Sequence, residues 1–213
     1  GIEVSLLAAV PKGSGLGTSS VLGAAMLACL ARVTGENLSQ TALIGRTSLL
    51  EQVMTTGGGW QDQIGGVTPG VKLIRTRPGP DQTPGLHFVP LDLSPTSDLG
   101  ARTLLYFTGI KRMARDILQK VVGRYLSRDA ATLRIVHELK ASAEQMKADL
   151  ETRDHRGFAR GVNTYWALKR RIDEGSTNAQ IESLLKPIDR YLEARLLPGA
   201  GGGGFVLMIA HDI

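Results

Sequence analysis

The sequence predicts an α+β fold in two parts: a mixed sheet with helices through about residue 95, then a helix-rich part closed by a strand. Three observations predict it. Residues 10–21, VPKGSGLGTSSV, form a glycine-rich turn that leaves an apolar strand pattern and enters an apolar helix pattern. Residues 93–98, LSPTSD, have linker composition and separate two unlike halves, 1–95 and 96–213. Beyond them come one strand pattern, a series of helical patterns, and a run of glycines that leads into the apolar residues 205–210.

Taken in order, residues 2–10 read as a strand. Residues 20–33 read as a helix that is apolar almost all round (Val21, Leu22, Ala25, Met26, Cys29, Leu30), and is therefore expected to be buried. A second helix over 39–54 carries Leu43, Ile44, Leu50 and Met54 at helical spacing. Glu51 follows Ile44 by seven residues and so sits on or beside that stripe, either as a boundary glutamate reaching water or held by a metal or an arginine. Residues 56–66, TGGGWQDQIGG, read as a loop: five glycines flank Trp60, Asp62 and two glutamines, an arrangement that packing alone does not ask for. The structural alternative for Asp62 is a turn residue that satisfies its own backbone. Two strands over 71–75 and 86–91 flank the loop 78–85, and another is expected over 101–107. Helices follow at about 112–126, 129–151, 155–174 and 178–194. The third of these carries Phe158, Val162, Tyr165, Trp166 and Lys169 at spacings of three and four, a core stripe in which Trp166 is packing.

Composition excludes several classes. With 42% hydrophobic and 21% charged residues among 213, the chain is globular rather than disordered. Its longest apolar run, 21–31, is interrupted by Gly23 and is too short to span a bilayer, and no basic-start signal peptide is visible. The single cysteine, Cys29, permits no internal disulfide, suits a reducing cytoplasm, and is expected to be a small buried hydrophobe. A net charge of +5 would suit nucleic acid, but Lys and Arg are scattered beside Glu and Asp in short pairs such as Lys111-Arg112. That pattern implies solvated helix faces and a mild positive field attractive to nucleotides, with neither nucleic acid nor membrane as partner.

The chemistry centres on the first glycine turn. Gly13, Gly15 and Gly17 permit conformations that side chains would block, and Thr18, Ser19 and Ser20 are expected to supply the helix cap. Backbone N–H groups at the positive end of a helix favour an anion with several oxygens, phosphate first; a purely structural turn is the alternative. A Walker A loop needs Lys after its last glycine, where this chain has Thr18, and the spacing of Gly13, Gly15 and Gly17 does not fit G-x-G-x-x-G.

Pro11, Gly15, Leu16, Gly17, Thr18 and Ser19 match P-x-x-x-G-L-G-[ST]-S, and the chain thereby resembles the GHMP kinases, which carry this as their second motif. LPGAGGGG before the last strand looks like their third motif. Within the family, PKGSGLGTSS, GGGWQDQIGG, LLYFTGIKR and LPGAGGGGFVLMIA together resemble the L-fucokinases. The heptose 7-phosphate kinases share TGI-x-R and an LLGAGGGG-like segment but read GSQDQ where this chain has GGWQDQ, and rank second.

The resemblance implies a GHMP kinase-like fold: a ribosomal S5 domain 2-like N-terminal part over 1–95, a ferredoxin-like part over 96–213, and a cleft between them. It implies ATP-dependent phosphorylation of a sugar hydroxyl, L-fucose to fucose 1-phosphate, with ATP and Mg2+ as cofactors. The N–H groups of Gly13, Ser14, Gly15, Leu16, Gly17, Thr18 and Ser19 would cradle the phosphates, with Lys12, Gly201 and Gly202 beside them. Ser19 and Glu51 would hold magnesium, Asp62 would be the catalytic base, and Arg112 the preferred cation for the transferring phosphoryl group. Trp60, Gln61 and Asp62 would meet the sugar. Nothing here matches the family's first motif, roughly P-G-R-[IV]-[DN]-[LF]-x-G. The resemblance therefore implies the C-terminal part of a kinase module, weakly active or inactive alone, whose open sheet edge the missing segment or a second copy could cover. A nucleotide-binding module without catalysis is the alternative.

Overall fold

The computed structural model describes residues 1–54, 58–80, 82–110 and 114–211, with 114–118 by backbone alone. Helix α1 (Thr18–Val33) leaves the glycine turn and packs on α2 (Gln40–Val53) and α3 (Gln61–Val67). Ser39 starts α2 as a side-chain cap, accepting from the N–H of Ala42 at 3.2 Å. A hairpin follows, β1 (Val71–Arg75) against β2 (Gly85–Val89), antiparallel from Val71 opposite Val89 to Arg75 opposite Gly85.

The second half begins with a short helix, α4 (Asp98–Arg102), capped by Ser97, and runs directly into β3 (Thr103–Phe107). Three helices follow: α5 (Ala114–Leu126), α6 (Ala130–Glu151) and α7 (His155–Ile172). Asp129 and Asp154 cap α6 and α7, each carboxylate accepting a first-turn N–H. A 3-10 turn (Glu174–Ser176), α8 (Ala179–Leu185), a second 3-10 turn (Asp189–Tyr191), β4 (Leu192–Leu196) and β5 (Phe205–Ala210) complete the described elements. The sheet has the order β3-β5-β4, antiparallel throughout, with an irregularity between Leu192 and Ala194. The last strand is thus the central one, and it delivers the glycines before it to the end of the sheet where β3 also finishes.

One core cluster joins Val89, Leu99, Leu150, Ala159, Val162, Ala194 and Ile209, so the hairpin, α4, α6, α7 and the sheet share it. A second joins Trp166, Ile181, Leu185, Leu197, Val206 and Met208. Each such side chain, fully buried, contributes about 1.5–3 kcal/mol relative to exposure. This second cluster seats α7, α8 and Leu197, and so anchors both ends of the closing glycine loop.

Five sequence expectations are corrected. Residues 2–10 form no hydrogen-bonded strand; residues 2–7 line a groove beside α1, and Ile2, Val4, Leu6 and Leu7 are exposed. In consequence α1 is covered on one flank only: Ala24 and Ala31 are buried, whereas Val21, Val33 and Cys29 are exposed. The GGWQDQ stretch is not all loop, since α3 starts at Gln61. Gly66 in α3 permits close approach to α1, because a Cβ there would lie 2.5 Å from Cγ2 of Val21. The helix expected over 178–194 ends at Leu185, because Pro187 cannot donate the next helical hydrogen bond, and residues 192–196 become β4. β3 likewise starts two residues late, residues 101 and 102 belonging to α4.

Candidate active site

The first glycine turn is braced from within. Ser14 is buried; its Oγ lies 3.1 Å from Oγ1 of Thr18 and accepts the N–H of Leu16 at 3.3 Å, while its own N–H donates to the Pro11 carbonyl at 3.2 Å. Gly13, Gly15 and Gly17 all have positive φ (77°, 79° and 67°), which explains why side chains are excluded at these three positions. The expected serine and threonine cap is absent: the residue preceding α1 is Gly17 in left-handed conformation, and no side chain caps the helix. The first turn also carries no acidic residue. A helix start whose first N–H groups are left uncapped by side chains suits an incoming anion better than a capped one.

The closing loop packs against this turn backbone to backbone. Phe205 donates its N–H to the Ser14 carbonyl at 2.9 Å. A Cβ on Gly15 would sit 2.9 Å from the Pro198 carbonyl oxygen, and one on Gly199 3.0 Å from that of Gly15. Gly202 donates to the Ser176 carbonyl at 2.6 Å, and Asn178 Nδ2 donates to the Gly202 carbonyl at 2.9 Å. The TGI segment after β3 joins them: Gly204 donates to the Ile110 carbonyl at 2.8 Å, and Thr108 donates through both N–H and Oγ1 to the Gly204 carbonyl. Gly201 is half-buried and Gly202 buried.

Asp62 lies at the mouth of the first turn. A Cβ built on Gly17 would meet Cβ, Cγ and Oδ1 of Asp62 at 3.1, 3.2 and 3.3 Å. The first turn of α3 carries Asp62 there, and the packing of α3 on α1 fixes the approach. Burial, and secondarily the charge of Glu51, raises the Asp62 carboxyl above the ordinary aspartate range.

Glu51 is buried at 7% exposure, which removes the reading of a glutamate reaching water. Its Oε1 accepts from Ser20 Oγ at 2.6 Å and from Ser19 Oγ at 3.4 Å, and Gln63 Nε2 donates to Oε2. Ser20 and Gln63 are the residues that sequence reasoning missed, although both lie within motifs it singled out; a helical position for Gln63, one residue beyond Asp62, was the signal lost when the stretch was read as loop. Ser19 is exposed while Ser20 is buried, so the two hydroxyls divide between solvent side and protein side. Lys12 and Gln61 are exposed and Trp60 half-buried at the start of α3. Lys111 and Arg112, expected as cations, lie outside the described residues.

Among the described residues no group of three or more His, Cys, Asp or Glu could hold a metal ion. Magnesium takes one or two protein carboxylates and leaves its other positions to water and phosphate oxygens. Two neighbouring carboxylates, one with its pKa raised by burial and secondarily by the charge of the other, are a setting that a divalent cation would relieve.

Beside this arrangement of glycine turn, flanking carboxylates and closing glycine loop on an α+β framework, residues 1–69 match the family GHMP kinases N terminal domain. The fold extends beyond that match, since the galactokinase of Lactococcus lactis, solved with galactose, superposes with a TM-score of 0.73 at 15% identity over 94% of this chain and 59% of its own. Among sequence relatives, the L-fucokinase/L-fucose-1-P guanylyltransferase of Bacteroides fragilis is 40% identical over the whole of this chain, which spans 22% of that protein. The D-glycero-alpha-D-manno-heptose 7-phosphate kinase of Campylobacter jejuni is 30% identical over 92% of this chain, which spans 58% of it.

Proposed function

We propose that the chain provides the nucleotide-gripping and catalytic part of an ATP-dependent sugar kinase that converts L-fucose to fucose 1-phosphate. The observation that carries this is the Asp62 carboxyl against Gly17, at the mouth of the first glycine turn. A carboxylate so placed would accept the proton of an acceptor hydroxyl as that hydroxyl attacks a phosphate held by the amides of Gly13 to Ser19. Phosphoryl transfer asks chiefly for position and for neutralisation of spreading negative charge. The uncapped start of α1 and the Gly201–Gly202 backbone would supply the first, with Lys12 and Arg112 as cations for the second. Ser19 and Glu51 would hold magnesium, which supplies charge neutralisation at the phosphates. Ser20 and Gln63 orient Glu51 for that role, and Trp60 and Gln61 would border the sugar.

L-fucose is preferred on the 40% identity to a fucokinase across the full chain; the heptose 7-phosphate kinase is the competing sugar class, at 30%. We place the protein in the cytoplasm, as a free exposed cysteine suits a reducing compartment, and no helix among the described residues is long and apolar enough to cross a membrane. The test is phosphate transfer from ATP, followed by phosphorus NMR with L-fucose and with heptose 7-phosphate in parallel, on the chain and on any longer protein containing it. Magnesium-dependent formation of fucose 1-phosphate is expected. Transfer to the heptose alone would replace the sugar, and transfer to neither would overturn the kinase reading.

A further inference from the structure

Lys169 stands in the core stripe of α7, yet it is a buried cation at 8% exposure. Its Nζ donates to the Leu197 carbonyl at 2.6 Å and to the Gly199 carbonyl, and the ring of Trp166 lies 5.7 Å from it. Those two carbonyls bracket Pro198, the residue whose own carbonyl abuts Gly15 of the first glycine turn. The end of α7 grips the other side of the same loop: Ser176 donates its hydroxyl to the Lys169 carbonyl at 3.2 Å and accepts the Gly202 N–H at its own carbonyl.

A methionine would fill this volume without taking an ammonium out of water, so packing is no account of a lysine here. What lysine adds is a charged donor able to serve two carbonyls at once. Burial pushes its pKa down to about 8, which still leaves it mostly an ammonium at neutral pH. We infer that Lys169 is a positioning residue: from within the helical layer it clamps residues 197–199 against the first glycine turn, so that both loops present their amides to one polyphosphate. The clamp rests on the kinase reading for its ligand but not for its geometry.

The experiment is amide hydrogen exchange on the full chain, with MgATP binding measured alongside, for wild type, Lys169→Met and Lys169→Arg. Lys169→Met is expected to speed exchange at Gly202, Gly204 and Phe205 at least tenfold, with Val206 to Ile209 in β5 unchanged, and to weaken MgATP binding about tenfold. Lys169→Arg, which keeps a charged donor, is expected to recover most of both. A folded Lys169→Met chain with wild-type exchange at the loop overturns the clamp. Should that variant not fold, the wild-type protein decides: a slowly exchanging Lys169 ammonium signal supports the clamp, and one exchanging like the surface lysines overturns it. Wild type that binds no MgATP sinks the nucleotide reading, whereas the exchange pattern judges the clamp by itself.

Discussion

Gly204→Ala tests the contact between the two glycine loops. Gly204 has φ of 82°, a conformation that costs an L-residue about 1–2 kcal/mol. Its Cβ would collide with the Ser14 carbonyl and lie 2.8 Å from the Gly13 carbonyl oxygen, both backbone atoms that no rotamer change can move. The neighbouring bond from Phe205 N–H to the Ser14 carbonyl would be lost as the loops part, about 1 kcal/mol more. Together these come to about 2–3 kcal/mol, or a fall of roughly 4–12 °C in the unfolding midpoint of a chain this size. Gly45→Ala is the control: Gly45 sits in α2 with nothing within 4 Å of its added Cβ, and Ala there should stabilise by about 1 kcal/mol. Thermal unfolding by circular dichroism, with MgATP binding on the folded variants, reads both. A Gly204→Ala chain with wild-type midpoint and nucleotide affinity would show that the loops do not meet as described.

Two further predictions concern the carboxylates. Asp62→Asn should cost a factor of about 10²–10⁴ in phosphate transfer, the usual range for a positioned acid or base, while leaving MgATP binding nearly intact. Because its folded pKa is raised, ionised Asp62 costs stability at pH values above that pKa, so Asp62→Asn should raise the unfolding midpoint at pH 7; a lower midpoint would mean the carboxylate is stabilising. Glu51→Gln removes the second cause of that rise, so in the metal-free chain the Asp62 carboxyl, followed by NMR, should titrate at lower pH. An unmoved titration would uncouple the pair.

Much of this site was legible before any coordinates. Positive φ at Gly13, Gly15 and Gly17 is what three alternate glycines ahead of a helix demand, and β5 after the second glycine run was clear from its apolar residues. Asp62 stood out in a motif that no core needed, and its place near the first turn was what the family resemblance implied. What escaped was tertiary in origin. Helix α3 contains two glycines and is seven residues long, so local preference argues against it; contact with α1 through Gly66 and Val21 holds it. Residues 192–196 fit a helical stripe until Pro187 and pairing with β5 are considered together. Cys29 was expected in a core because α1 is apolar all round, but a helical pattern does not say which flank is covered. Lys169 read as core for the right reason, its place on the buried face of α7, and the wrong chemistry, since only the loop fold brings Leu197 and Gly199 to its ammonium.

The central claim is that the first glycine turn, Asp62 and the closing glycine loop face one polyphosphate. Titrating the isotopically labelled chain with magnesium and a non-hydrolysable ATP analogue, and mapping the amide shifts, tests it most directly. The account predicts saturable shifts concentrated at residues 13–20, at Asp62 and Gln63, and at residues 199–204. Shifts confined elsewhere, for example to the groove between residues 2–7 and α1, or no saturable shift at all, would contradict it.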